Sequence, residues 1–85
     1  MYSIAWAKKT KKQLEKLPLI IRESIINKVA SITGDPKRSL KRLKNYKAWR
    51  LRVGDYRVII EISETDQILF VVEIGHRRNI YDKLD

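Results

Sequence analysis

The stretch WRLRVGDYRVIIEI, residues 49–62, constrains the fold more than any other part of the chain. Trp49, Leu51 and Val53 alternate with Arg50 and Arg52, the period of a strand covered on one face only. Gly54-Asp55 has the form of a two-residue hairpin turn with glycine first. Beyond it Tyr56, Val58, Ile60 and Ile62 continue the apolar face, and Arg57, Ile59 and Glu61 the other. A two-residue turn sets the register. Val53 faces Tyr56, Arg52 faces Arg57, Leu51 faces Val58, Arg50 faces Ile59 and Trp49 faces Ile60. A slip of one residue would move the whole apolar set to the wrong side, so this register is the self-consistent one.

The remaining elements follow from their periods. Tyr2, Ile4 and Trp6 alternate with small residues and predict a short first strand. Ala7, Leu14 and Leu17 share one face of a first helix whose lysines point to water. Pro18 closes that helix and suits the first turn of a second. There Ile21, Ile25, Val29 and Ile32 form one stripe, ended by Gly34-Asp35-Pro36. In the last strand, ILFVVEIG, the even positions Ile68, Phe70, Val72 and Ile74 are all apolar and are expected on the core face. That parity requires an odd-length loop, such as a five-residue loop pairing Ile62 with Ile68 and Arg57 with Glu73. The expected fold is α+β, a single domain over residues 1–85 in the order βααβββ. A two-helix hairpin packs on one face of a small, curled, antiparallel-type sheet, and a short C-terminal tail, HRRNIYDKLD, follows.

Charge supplies the first functional signal. Residues 1–53 hold 15 basic and 3 acidic side chains, whereas residues 54–85 hold 4 and 7. Between Lys37 and Arg52 eight basic residues occur without an acid: Lys37, Arg38, Lys41, Arg42, Lys44, Lys47, Arg50 and Arg52. A polyanion is the natural partner of such a field; the plainer reading is a solubilising surface. The chain has no cysteine, so disulfides and thiolate metal sites are excluded. No apolar run approaches the ~20 residues of a membrane span. The expected setting is cytoplasmic, with no membrane partner.

The hairpin register sets Arg52 directly against Arg57, and like charges so placed destabilise a sheet. One reading is local neutralisation by Glu61 and Glu73. The favoured reading is an anion site, because Arg50, Arg52, Arg57 and Arg77 share one strand parity. Arginine keeps its charge and grips two phosphate oxygens with one planar fork. One histidine and no carboxylate cluster on this face imply no metal or other cofactor. Cleavage of a phosphodiester without a metal can use the 2′-hydroxyl of RNA, which DNA lacks.

At WRLRVGDYRVIIEI and IGHRRNIYD the sequence resembles the RelE branch of the RelE/ParE toxin superfamily, and the resemblance spans essentially the whole chain. The tail GHRRNIY favours the ribonuclease branch. The resemblance implies the toxin of a toxin–antitoxin pair, an endoribonuclease that enters the ribosomal A site and cuts messenger RNA without a metal. It implies messenger and ribosomal RNA as partners, with a cognate acidic RelB-like antitoxin through which alone the toxin would oligomerise. It assigns phosphate stabilisation to Arg57, the leaving 5′-oxygen to Arg77 and a base contact to Tyr81. Arg50 takes a cleft position, and Arg52 the Leu-Arg step of the motif.

The sequence departs from the family at the general base, where a familiar lysine is replaced by Arg50, a poor proton acceptor. Tyr81 and His76 are the candidates. An ordinary histidine, with a pKa of ~6.5, suits acid–base work near neutrality better than a tyrosine at ~10. Lys41, Arg42, Lys44, Lys47, Arg78, Lys8 and Lys12 are expected to hold RNA or the ribosome, although Lys8 and Lys12 fit a solvated helix face as well. Trp6, Trp49, Tyr56 and Phe70 are expected in the core. Two other functions are compatible with the residues: a ParE-like gyrase inhibitor and a non-catalytic RNA-binding module.

Overall fold

A computed structural model describes residues 1–44 and 47–77. Among these residues eight elements follow in order. They are β1 (Ser3–Trp6), α1 (Lys8–Glu15), α2 (Leu19–Ser31), α3 (Pro36–Ser39), β2 (Lys41–Arg42), β3 (Trp49–Val53), β4 (Tyr56–Ser63) and β5 (Ile68–His76). The expected order stands, with a one-turn helix and a two-residue strand added between the helical hairpin and the long strands. The sheet runs β1-β5-β4-β3-β2. It is mixed: β1 joins β5 in parallel, and the other pairs are antiparallel. The parallel pair follows because the helices return the chain so that β3 runs in the direction of β1, and the two antiparallel reversals into β4 and β5 bring β5 to that direction again.

The main core lies between the helices and one sheet face. Ile25, Val29 and Ile32 of the α2 stripe meet Leu51, Val58, Ile60, Leu69, Val71 and Ile74. Trp6, Trp49 and Tyr56 pack against this core as expected. Thr10, which periodicity left unassigned, is also buried, its hydroxyl 2.7 Å from the Ala7 carbonyl oxygen. That bond satisfies a polar group that would otherwise be costly inside. Arg22 ties the two helices together. Its Nε donates to the Leu14 carbonyl (3.0 Å), and one Nη donates to those of Glu15 and Leu17 (3.3 and 3.2 Å). The Leu14 and Glu15 carbonyls are among those the end of α1 leaves without partners inside the helix, and Leu17 lies in the connection to α2.

The β3–β4 hairpin has the expected register, from Val53↔Tyr56 to Trp49↔Ile60. Gly54 has φ of +58°, and Asp55 is not in the left-handed region, the pattern of a turn with glycine first. Gly54→Ala is expected to destabilise the protein by about 1–2 kcal/mol through backbone strain alone. A Cβ there would meet nothing within 4 Å, so urea denaturation measures the conformational term without a steric one.

The last strand departs from expectation. Ser63 pairs with Ile68, enclosing a four-residue turn rather than five, and Ile62 pairs with Leu69. A register shift between Ile59 and Ile60 then restores Val58↔Ile74. The core face of β5 is therefore Leu69, Val71 and Ile74. Phe70 is turned out and 39% exposed, not in the core, and Arg57 pairs with Gly75 instead of Glu73. A β-bulge changes side-chain parity within one strand, and that is invisible to a rule of strict alternation. Val72 at the shift joins Leu43, Ala48 and Ile59 in a second small cluster. Since Ile59 and Arg57 share one parity on β4, this cluster lies on the face away from the helices.

Candidate nucleic-acid interface

The face opposite the helices receives Arg50 and Arg52 from β3 and Arg57 from β4, because all three alternate with core residues. Arg52 and Arg57 are directly opposite, as the turn length requires. Lys41 of β2 lies across from Arg50 on the other side. The cationic row thus crosses three adjacent strands. Glu73 is drawn toward α1. Its carboxylate forms an ion pair with Lys9, and one of its oxygens accepts from Gln13 Nε2 at 3.3 Å. The Gln13 side-chain oxygen Oε1 meanwhile accepts from the Ile74 backbone amide at 2.9 Å, so α1 covers the edge of β5 beyond β1.

Arg57 differs from the open phosphate grip that its parity suggested. It is only 3% exposed. Its Nη1 donates to the Gly54 carbonyl at 3.4 Å and to that of Tyr56 at 3.2 Å. A buried guanidinium must be held by acceptors, and the carbonyls of the turn fix its direction. Arg52 beside it is exposed, and Arg50 is half-buried. Arg77 is exposed, and its backbone amide donates to the Asp55 carbonyl at 2.7 Å. Register and backbone thus set Arg52, Arg57 and Arg77 around the Gly54-Asp55 turn, Arg57 with its guanidinium clamped and Arg52 and Arg77 exposed, while Arg52 also lines a hollow with Ser24, Asn27, Lys28 and Ser31 of the helical hairpin.

His76 stands apart. It pairs with Tyr56, whose ring packs on the main core, and the two rings meet edge-on at 5.4 Å. Its register position thus lies on the helix side of the sheet, opposite Arg57. Tyr81 and Arg78 lie outside the described residues.

The other basic candidates divide into two groups. Lys41, Arg42, Lys44 and Lys47 are exposed around the β2–β3 connection. Arg42 and Lys37 each lie 5.7 Å from the centre of the Trp49 ring, which fixes part of this charge against an aromatic surface. Lys37 also forms an ion pair with Glu64 in the β4–β5 turn. Hydrogen bonding and attraction from Lys37 hold the Glu64 carboxyl below the ordinary glutamate value. A carboxyl with a depressed folded-state pKa contributes above its unfolded value, and that contribution fades as pH falls through the folded one. An NMR titration is expected to show Glu64 titrating low, with Lys37→Ala returning it to the ordinary value. Lys8 and Lys12 are exposed on α1, where with Lys9, Gln13 and Lys16 they line a shallow hollow away from the arginine row. Among the described residues no three His, Cys, Asp or Glu side chains gather as metal ligands.

The family model for the ParE toxin of type II toxin–antitoxin systems matches residues 4–81. The chain belongs to the RelE/ParE toxin superfamily. Within that superfamily it is similar to Toxin RelE3 of Methanocaldococcus jannaschii, at 34% identity over 93% of this chain and 94% of the relative. The toxin fold also matches solved complexes. The RelBE2 toxin–antitoxin complex of Mycobacterium tuberculosis superposes with a TM-score of 0.83 at 22% identity, covering 89% of this chain and 98% of the other. The RelE–RelB complex of Pyrococcus horikoshii gives 0.79 at 21% identity, covering 92% and 97%. No helix among the described residues is long and apolar enough to cross a membrane.

Proposed function

We propose that this toxin is a ribosome-dependent endoribonuclease that cuts messenger RNA in the A site by attack of the 2′-hydroxyl, without a metal. The observation that carries the reading is the arginine cluster at the Gly54-Asp55 turn, with Arg57 clamped by backbone carbonyls and Arg52 and Arg77 exposed beside it. In the reaction the ribose O2′ bonds to phosphorus and the bond from phosphorus to O5′ breaks. The 2′-hydroxyl proton leaves to a base, and the departing O5′ takes up a proton. Negative charge grows on the non-bridging phosphate oxygens. Fixed donors aimed there stabilise the transition state more than the ground state.

In this scheme Arg57 and Arg52 face the phosphate, Arg77 faces the leaving oxygen and Arg50 lines the cleft. Tyr81 contacts a base of the codon. Proton transfer falls to Tyr81 or His76; the position of His76 behind the sheet means it would have to act around the end of β5. Lys41, Arg42, Lys44, Lys47, Arg78, Lys8 and Lys12 hold messenger or ribosomal RNA by charge. The ribosome completes the orientation of the substrate. A cognate RelB-like antitoxin masks the site in the cytoplasm, as the RelE–RelB complexes with the same fold suggest.

The ParE name of the matching family model favours a second reading, a gyrase inhibitor. Brief induction in cells separates the two. The nuclease reading expects translation to stop and new messenger ends to appear within codons of translated messages only. Filamentation and DNA breaks with translation intact would overturn it in favour of gyrase. RNA binding with a steep salt dependence and no new ends would overturn it in favour of a non-catalytic binder.

A further inference from the structure

The nuclease reading leaves one exposed feature of the sheet unused. Phe70 is an aromatic ring at 39% exposure on a strand where Leu69, Val71 and Ile74 are turned inward and Val72 is covered. The four-residue turn puts it there, since pairing Ser63 with Ile68 sets Phe70 against Glu61. Between that turn and the register shift, Phe70 also stands beside Ala5 of β1. The Ala5 methyl is too small to cover a phenyl face. Glu61 is exposed and forms no hydrogen bond or ion pair with the described residues. Residues 57, 59 and 61 share one side of β4, so this ring and carboxylate lie on the same face as the arginines. Four residue steps lead from Arg57 to Glu61, about 13 Å along a strand, a distance within a few nucleotides of an extended RNA.

We infer that Phe70 and Glu61 form a base-binding platform for single-stranded RNA, the ring stacking on one base and the carboxylate accepting a hydrogen bond from its exocyclic amino group. The inference rests on the nuclease reading and adds a second contact point to it. An aromatic face on a sheet beside fixed cations is how single-stranded nucleic acid is held, bases on rings and phosphates on cations. The carboxylate decides which part of the RNA sits at this rung. It repels phosphate, yet it can accept from the amino groups of adenine, cytosine or guanine, and uracil offers none. It also argues against an apolar peptide side chain as the occupant, which would desolvate a charge without supplying a donor. Leu43 and Ala48, seated on Ile59 between the two ends, are flanked in the chain by the exposed Lys44 and Lys47. Those lysines can carry the phosphates that connect the platform to the arginines.

The test measures binding of short single-stranded RNAs, 2′-O-methylated to block cleavage, to the full chain at low salt. Phe70→Leu keeps an apolar side chain but removes the ring, and is expected to weaken binding roughly 5- to 150-fold with an unchanged melting temperature. Phe70→Trp is expected to retain binding. The native protein is expected to bind oligocytidine several-fold more tightly than oligouridine, and Glu61→Ala to abolish that preference. Phe70→Leu binding RNA as tightly as the native protein overturns the platform while leaving the arginine site standing. If that variant instead loses only the capture of an antitoxin segment, the surface belongs to a protein partner and the inference falls. A native protein that binds none of these RNAs overturns the platform, whereas the nuclease reading, which needs the ribosome, stands or falls on the messenger ends.

Discussion

Arg57→Ala is expected to lower RNA cleavage by about 10²–10³-fold, the effect of removing one fixed donor from a developing oxyanion. The reason is the combination of register and burial. The two-residue turn places Arg57 opposite Arg52, and the Gly54 and Tyr56 carbonyls hold its guanidinium at 3.4 and 3.2 Å. A donor positioned in advance needs no reorganisation as the phosphate gains charge. Because Arg57 is 3% exposed, truncation also leaves acceptors unpaired and space unfilled, so the loss could be one of folding. Arg57→Lys separates the two effects. It keeps the charge but not the fork, and is expected to melt closer to the native protein while cleaving nearly as slowly as Arg57→Ala. Single-turnover cleavage together with thermal melting measures both. Cleavage that follows the fraction folded, and nothing else, would reduce Arg57 to a structural role.

The second large effect concerns the core. Ile60→Ala is expected to destabilise the protein by about 2–5 kcal/mol. Ile60 is fully buried on the central strand β4, between Trp49 and Val71 in the register and beneath the helices. Small domains have a total stability of only about 5–15 kcal/mol. The melting temperature should therefore fall by roughly 10 °C or more. Phe70→Ala on the same sheet is expected to shift it little, because that ring faces solvent. If the two variants melt alike, the four-residue turn does not place Phe70 outside the core, and the face assignment of β5 is wrong.

These contrasts show which parts of the molecule were legible as sequence. The β3–β4 hairpin was, because a Gly-Asp turn admits one register and every apolar residue then confirms it. The α2 stripe was, because isoleucine and valine at helical spacing leave one face to bury. The arginine row followed directly from the hairpin. The face of β5 was not legible, since five successive apolar residues, Ile68 to Val72, support either parity. Only the pairing with β4 selects one, and a bulge changes it midway. The parallel β1–β5 pair was hidden for a related reason: local alternation does not encode which strand a neighbour will be. The tether from Glu73 to Lys9 and Gln13 depends on contacts some 60 residues apart in the chain, and Arg57 is buried on the face that alternation assigns to solvent; no local pattern records either. Within the site, strand parity brought Arg50, Arg52 and Arg57 together correctly, while placing His76 required knowing that Tyr56 is its partner.

The central claim is that an arginine cluster lets this toxin break RNA through its own 2′-hydroxyl. The most direct measurement is the chemistry of the cut ends. Purified protein is added to ribosomes carrying a defined message, with chelator sufficient to remove free transition metals but not the magnesium that ribosomes require. The account predicts a cut within the A-site codon, a 2′,3′-cyclic phosphate on the upstream fragment, a 5′-hydroxyl on the downstream one, and loss of both in Arg77→Ala. Messages left whole by well-folded protein, or fragments ending in a 3′-hydroxyl and a 5′-phosphate, would contradict it.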